Sequence, residues 1–317
     1  MTVISNDPSW WPTINSNIIV SYWTVAAGVM VVYDWILTLG QEIELIWRQR
    51  WSLMTVLYLV IRYIGIPYSV VNVLGCLPLV SLTDAVSNLM NRAQNGTNGV
   101  IYAMLGVIMI ARLYAMYLGS RRMLIFLVVI FLAVTIACAV IGTIATRDSV
   151  AEKLILSGTY MCDNEFEGGD QLAYLMFWTV YAVWEILALC LSAWIAVKHF
   201  RDMRRLRRPI GSTTGDCFRV LIRSHVLYFA SFVWVSCLEV AISSAGQGLM
   251  NTQSMGIQIL VDASQISQSM QMFVMGPRLI LSVREYHATL VANSDAETNM
   301  NSIVFQERVL IPTSSTV

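Results

Sequence analysis

The chain has 317 residues, of which 56% are apolar and only 13% charged, and its 20 Lys and Arg are cancelled by 20 Asp and Glu. The charged share is about half that of an ordinary soluble domain, and the mean hydropathy is +0.62. This excludes a soluble enzyme, a disordered chain and a nucleic-acid binder, which needs a basic face. It points to an all-α, polytopic membrane protein in contact with the lipid bilayer.

Residues 1–16 carry no Lys or Arg and one acid, Asp7. No basic region precedes the first apolar run, and that run is too long for a signal-peptide core. The segment is expected to be a short outer amino-terminal piece, and the run to stay as a membrane helix. A bilayer core about 30 Å thick takes roughly 20 residues of helix. Seven runs reach that length, near residues 17–39, 53–75, 99–118, 123–145, 171–197, 219–244 and 257–281. The expected organisation is therefore a seven transmembrane helix bundle over 17–284, followed by a polar, Ser/Thr/Asn-rich cytoplasmic tail over 285–317, expected to be disordered.

Basic residues of short loops face the cytoplasm. With the amino terminus outside, Arg92, Arg147 and Lys153 lie on the outer side and Arg62 lies within the second span, which leaves sixteen of the 20 basic residues inside. That asymmetry predicts the amino terminus outside and the carboxyl terminus in the cytoplasm, with the plasma membrane the expected compartment. The sequon Asn95-Gly96-Thr97 then falls in an outer loop, where Asn95 is a candidate for glycosylation. Cys76 and Cys162 also fall outside, in an oxidising compartment, and are a candidate disulfide. Cys138, Cys190 and Cys237 read as packing residues, and Cys217, just inside, as a weak candidate for acylation.

Charges inside a membrane are costly and are functional candidates for that reason. They are Asp34, Arg62, Glu185, Glu239 and Asp262. Either Asp34 or Glu185 could neutralise Arg62, as a structural ion pair or as a switch or proton path. Glu239 and Asp262 lie nearer the outer face. On the seventh span, Gln258, Asp262, Gln265, Ser269 and Met272 follow steps of 4, 3, 4 and 3 and share one helix face, which Gln268 and Gln271 widen. Such a face points into the bundle, where it either binds helices together or lines a ligand cavity. At the inner face, Arg121, Arg122 and the run Arg201, Arg204, Arg205, Arg207 and Arg208 either touch anionic lipid or dock a cytoplasmic partner such as a G protein.

Some chemistry is missing from the sequence. The three histidines, His199, His225 and His287, do not cluster, and no His/Cys spacing resembles a metal site. The only lysines, Lys153 and Lys198, lie in loops, so no retinal Schiff base can form inside the bundle. No P-loop, nucleophile elbow or dinucleotide fingerprint is present. Neither an enzyme nor a cofactor is expected.

One stretch is similar to a known family. Tyr33-Asp34-Trp35-Ile36-Leu37-Thr38-Leu39, with Glu42, Glu44-Leu45-Ile46-Trp47, Trp51-Ser52 and Arg62-Tyr63, resembles the signature of a fungal membrane family, domain of unknown function 6533, abundant in mushroom-forming basidiomycetes. Arg112-Leu113-Tyr114-Ala115-Met116-Tyr117, and Pro277-Arg278-Leu279-Ile280-Leu281 with Arg284-Glu285, resemble two further motifs of that family. The resemblance implies a seven-span, receptor-like layout and no known ligand or activity. It singles out Asp34, Glu42, Glu44 and Arg62. Three functions remain open on these residues: a receptor for a small-molecule ligand, a membrane scaffold with structural interhelical charges, and a proton-linked transporter.

Overall fold

The computed structural model describes residues 2–5, 7, 10–49, 51–76, 84–117, 119–148, 151–156, 159–164, 168–205, 213–250, 255–285 and 288. In the strands, and over 84–85, 145–148, 168–171, 199–200, 202–205, 213–225 and 245–250, it describes the backbone alone, as it does at 13, 255 and 257.

The expected helices are present, and several are longer than the hydropathy suggests. They are α1 (Trp11–Glu42), α2 (Leu53–Cys76), α3 (Asp84–Met116), α4 (Arg121–Asp148), α5 (Gly168–Arg205), α6 (Thr213–Met250) and α7 (Met255–Met270). Pro12 sits in the first turn of α1, where its missing N–H costs nothing. A π turn, Ile43–Trp47, prolongs α1. A second π turn, Gln271–Met275, prolongs α7, and helix resumes over 276–285. The second π turn lies directly before Gly276-Pro277, where Pro277 brings no N–H to the helical ladder. Gly119, at φ 74°, ends α3 by donating its N–H to the Tyr114 carbonyl at 3.1 Å, a left-handed cap that glycine adopts without strain.

Six of these helices are long and apolar enough to cross a membrane: Ile14–Trp47, Leu53–Cys76, Val86–Met116, Arg121–Ile144, Leu172–Lys198 and Val226–Ser244. The chain is thus a membrane-embedded, multi-pass helical protein. The polar face of α7 keeps the seventh expected span outside that set.

Two sequence expectations change here. Helix α3 starts at Asp84, so Asn95 is an exposed residue on a helix and does not lie in a loop. The polar segment before 99 continues the helix instead of breaking it, and Gln94 donates to Asn72 of α2 at 3.2 Å. The acidic connection after α4 contains strands β2 (Ala151–Leu156) and β3 (Thr159–Asn164), which pair antiparallel. β2 also pairs parallel with β1 (Thr2–Ser5). This small sheet joins the amino terminus to the α4–α5 connection, so both lie at one end of the bundle, here termed the sheet end. The opposite end, where α1 turns into α2, is the arginine end.

The core runs through the bundle axis, with Tyr58, Ile61, Leu105, Leu113, Trp184, Phe229, Phe232 and Phe273 nearly inaccessible. Large apolar side chains on the outside, such as Val29, Ile36, Val129, Ile136 and Trp234, are exposed, as a lipid-facing surface requires. Helices approach closely at glycines. A Cβ on Gly65 would stand 2.7 Å from the Phe273 ring, whereas one on Gly40 would meet nothing within 4 Å. Gly65→Ala is therefore expected to lower thermal stability in lipid nanodiscs by about 1–3 kcal/mol through overpacking. Gly40→Ala is expected to leave it unchanged or raise it by up to about 1 kcal/mol through helix propensity.

Candidate functional site

The most polar feature of the interior is built on one stripe of α1. Ala27, Val31, Asp34, Thr38, Glu42 and Ile46 are all buried, at spacings that keep them on one helix face. The first two and the last are apolar. The middle three present a carboxylate, a hydroxyl and a second carboxylate, each one turn from the next. Because α1 and its π turn continue to Trp47, Glu42 lies within the bundle and not in a loop beyond it. Glu44, one step round the helix, is exposed.

Arg62 of α2 lies against this stripe, with its side chain 2% exposed. One guanidinium nitrogen meets Asp34 Oδ2 at 3.0 Å, and Nε meets Glu42 Oε2 at 3.2 Å. The remaining nitrogen donates to the Trp35 carbonyl at 2.8 Å, to the Asp34 carbonyl at 3.4 Å and to the Thr38 hydroxyl. Glu42 is also held by hydroxyls and an indole: Tyr58 donates to Oε2 at 3.2 Å, and Tyr63 and Trp47 donate to Oε1 at 3.0 and 3.1 Å. The Tyr58 ring lies 5.9 Å from the Arg62 guanidinium carbon, within cation–π range.

Helix seven completes the network. Arg278 reaches the free oxygen of Asp34, with nitrogens at 2.6 and 2.7 Å from Oδ1. Asp34 thus bridges two arginines from two helices, and the four charges sum to zero. Arg278 is 46% exposed, so its half of the bridge meets solvent while the Arg62 half does not. Two more arginines secure the same end. Arg112 of α3 is buried and donates to the Leu279 carbonyl at 2.6 Å. Arg284 donates to the Leu45 carbonyl at 2.7 Å and to the Ser52 and Thr55 hydroxyls at 3.1 and 2.5 Å. Arg112, Arg278 and Arg284, counted from sequence among the inner-side cations, tie helices together.

Glu185, a candidate partner of Arg62 on sequence grounds, is elsewhere. It lies on α5, fully buried, and accepts from Gln271 at 3.2 Å. It makes no contact with Arg62, whose nitrogens are taken by Asp34, Thr38, Glu42 and the Trp35 carbonyl. Glu239 and Asp262 are buried toward the sheet end; Tyr174 donates to Glu239 at 3.4 Å and Gln258 to Asp262 at 3.3 Å. Gln265 and Ser269 are half-buried, and the Ser269 hydroxyl turns back to the Gln265 carbonyl. Arg121, Arg122 and Arg201 are exposed. The side chains of Arg204, Arg205, Arg207, Arg208, Cys162 and Cys217 lie outside the described residues, as does the tail beyond 288. Cys76 receives a hydrogen bond from Thr24. Among the described residues no group of His, Cys, Asp and Glu could hold a metal ion.

The network makes a ranked prediction. Arg62→Ala strands two buried carboxylates and is expected to destabilise the protein by about 3–5 kcal/mol. Arg278→Ala exposes Asp34 Oδ1 at a half-solvated edge and is expected to cost about 1 kcal/mol or less. Thermal unfolding in nanodiscs measures both, and equal losses would contradict the ranking.

Among curated proteins none matches the chain. Residues 22–67 match the model of a family of unknown function, DUF6533, and within that stretch lie Asp34, Thr38, Glu42, Tyr58, Arg62 and Tyr63, the α1 and α2 side chains from which the arginine network is made.

Proposed function

We propose that the chain is a seven-span membrane protein of receptor-like layout, with the sheet end outside and the arginine end in the cytoplasm, and that the arginine network latches helix seven to helices one and two. The carrying observation is the sharing of Asp34 between buried Arg62 and half-exposed Arg278. One side of this bridge is permanent and the other can be traded for water or for a partner's carboxylate. A two-state element of that kind is what a receptor needs, because a ligand acts by favouring one of two packings.

Other features support the reading. Residues 255–285 are helical with a π turn inside, and at about 1.5 Å per residue they are long enough to span a bilayer despite their polar face. That face is turned inward, with Asp262 and Gln271 buried. The arginine end holds most of the basic residues, the pattern of a cytoplasmic face. Glu239 and Asp262 at the sheet end supply polar groups for a small ligand, and exposed Arg121, Arg122 and Arg201 supply a surface for a cytoplasmic partner.

The test is a pull-down from native-host membranes, with and without a non-hydrolysable GTP analogue, using the wild type and Arg278→Gln. Retention of a G-protein α-subunit that the analogue releases, with more retained by Arg278→Gln, is the expected result. No retention under conditions that hold a known receptor's partner overturns the G-protein form of the reading. The scaffold reading has one observation in its favour, the full pairing of all four charges. It expects Arg278→Gln to lower thermal stability slightly and to change no partner.

A further inference from the structure

The buried acids fall into two groups. Asp34 and Glu42 have arginine partners. Glu185, Glu239 and Asp262 have no cation beside them among the described residues. Of these, Glu185 is the deepest. It lies midway along the span Leu172–Lys198 and none of it is exposed. Oε1 accepts the Gln271 amide, Oε2 has no hydrogen-bond partner, and Ser236 of α6, which stands beside the carboxyl, has an unpartnered hydroxyl.

The titratable groups around it are few. Tyr181 on its own helix is the nearest, with Cys138 of α4 and Tyr102 of α3 beside Tyr181, and Glu239 lies about one turn from Ser236 on α6. Helix seven presents the neutral amide of Gln271. No Lys, Arg or His faces the carboxyl among the described residues. A bare carboxylate at this depth would cost several kcal/mol. A proton on Oε2 removes the charge, and the Ser236 hydroxyl, which can donate or accept, suits either form. A metal cation fits poorly, because among the described residues no second acid, His or Cys joins Glu185 in a group that could hold one.

We propose that Glu185 is a proton-binding site at the centre of the membrane. Tyr181, one helical turn before Glu185, meets Tyr102 edge to face with centroids 4.9 Å apart, and the Tyr102 hydroxyl accepts from Gln268 at 2.8 Å. The step balances simply: a proton leaves water, one O–H bond forms on Oε2, and release reverses it. The ligand is the proton alone, and the site requires no cytoplasmic partner.

Infrared spectra of the full chain in lipid nanodiscs, over a pH series and after transfer to D2O, test this. The wild type is expected to show a protonated-carboxyl band that shifts in D2O and is lost in Glu185→Gln. In Glu185→Asp the band should move in frequency, which keeps the test alive if the Gln variant fails to fold. Carboxyl bands that are the same in folded Glu185→Gln or Glu185→Asp as in the wild type overturn the site. A band abolished at constant pH by sodium in place of choline makes it a metal-cation site instead and also overturns the proposal.

Discussion

A guanidinium cannot lose its charge in a protein, so an arginine inside a membrane must be surrounded by acceptors or not be there at all. Arg62 imposes that constraint on everything near it. Its fork needs acceptors on several sides, and they are collected from one stripe of α1: the Asp34 and Glu42 carboxylates, the Thr38 hydroxyl and the carbonyls of Asp34 and Trp35. The stripe can reach only because α1 does not stop where its apolar run stops. The acceptors then need partners of their own, and these recruit Tyr58, Tyr63 and Trp47 to Glu42 and Arg278 to Asp34. The arrangement of helices one, two and seven at this end follows from one charge.

The interior thus has two electrostatic regimes. At the arginine end, opposite charges meet and cancel. From the bundle centre to the sheet end, the ionisable groups are acids and tyrosines without cations among the described residues. The second region can become neutral only by holding protons, so its hydrogen bonds depend on what the adjoining water supplies. Gln271 lies where helix seven crosses from one regime to the other, at the first residue of its π turn.

Much of this was legible in the residues. Composition alone specified a helical membrane protein, and the apolar runs located the helices. Asp34 and Arg62 stood out as buried charges, with Glu185 an equal candidate for the arginine's partner. Glu42 was legible only through the family signature, because hydropathy ends helix one at Leu39 and places Glu42 outside. Hydropathy measures partition into lipid, whereas the helix continues as long as its buried face finds acceptors and donors to satisfy. The same difference explains α3, whose polar first turns are helical but were read as loop. Arg112, Arg278 and Arg284 counted only as inner-side cations, because sequence cannot show a carbonyl or carboxylate arriving from a distant helix. The small sheet was invisible for a similar reason, since β1 is only four residues long and pairs with a strand about 150 residues later.

The sharing of Asp34 also bears on how the chain is made. Arg62 follows Asp34 by 28 residues, but Arg278 follows it by 244. During synthesis the first two spans emerge together and can enter the lipid as a neutralised hairpin, sparing each charge its solitary insertion cost. The second oxygen of Asp34 then waits while five further helical segments are translated. Its last partner is supplied only when nearly the whole membrane domain exists, so a truncated chain carries an unfilled acceptor in the wall of its first helix. The network therefore marks assembly, as a join that closes only once the chain has been made as far as Arg278.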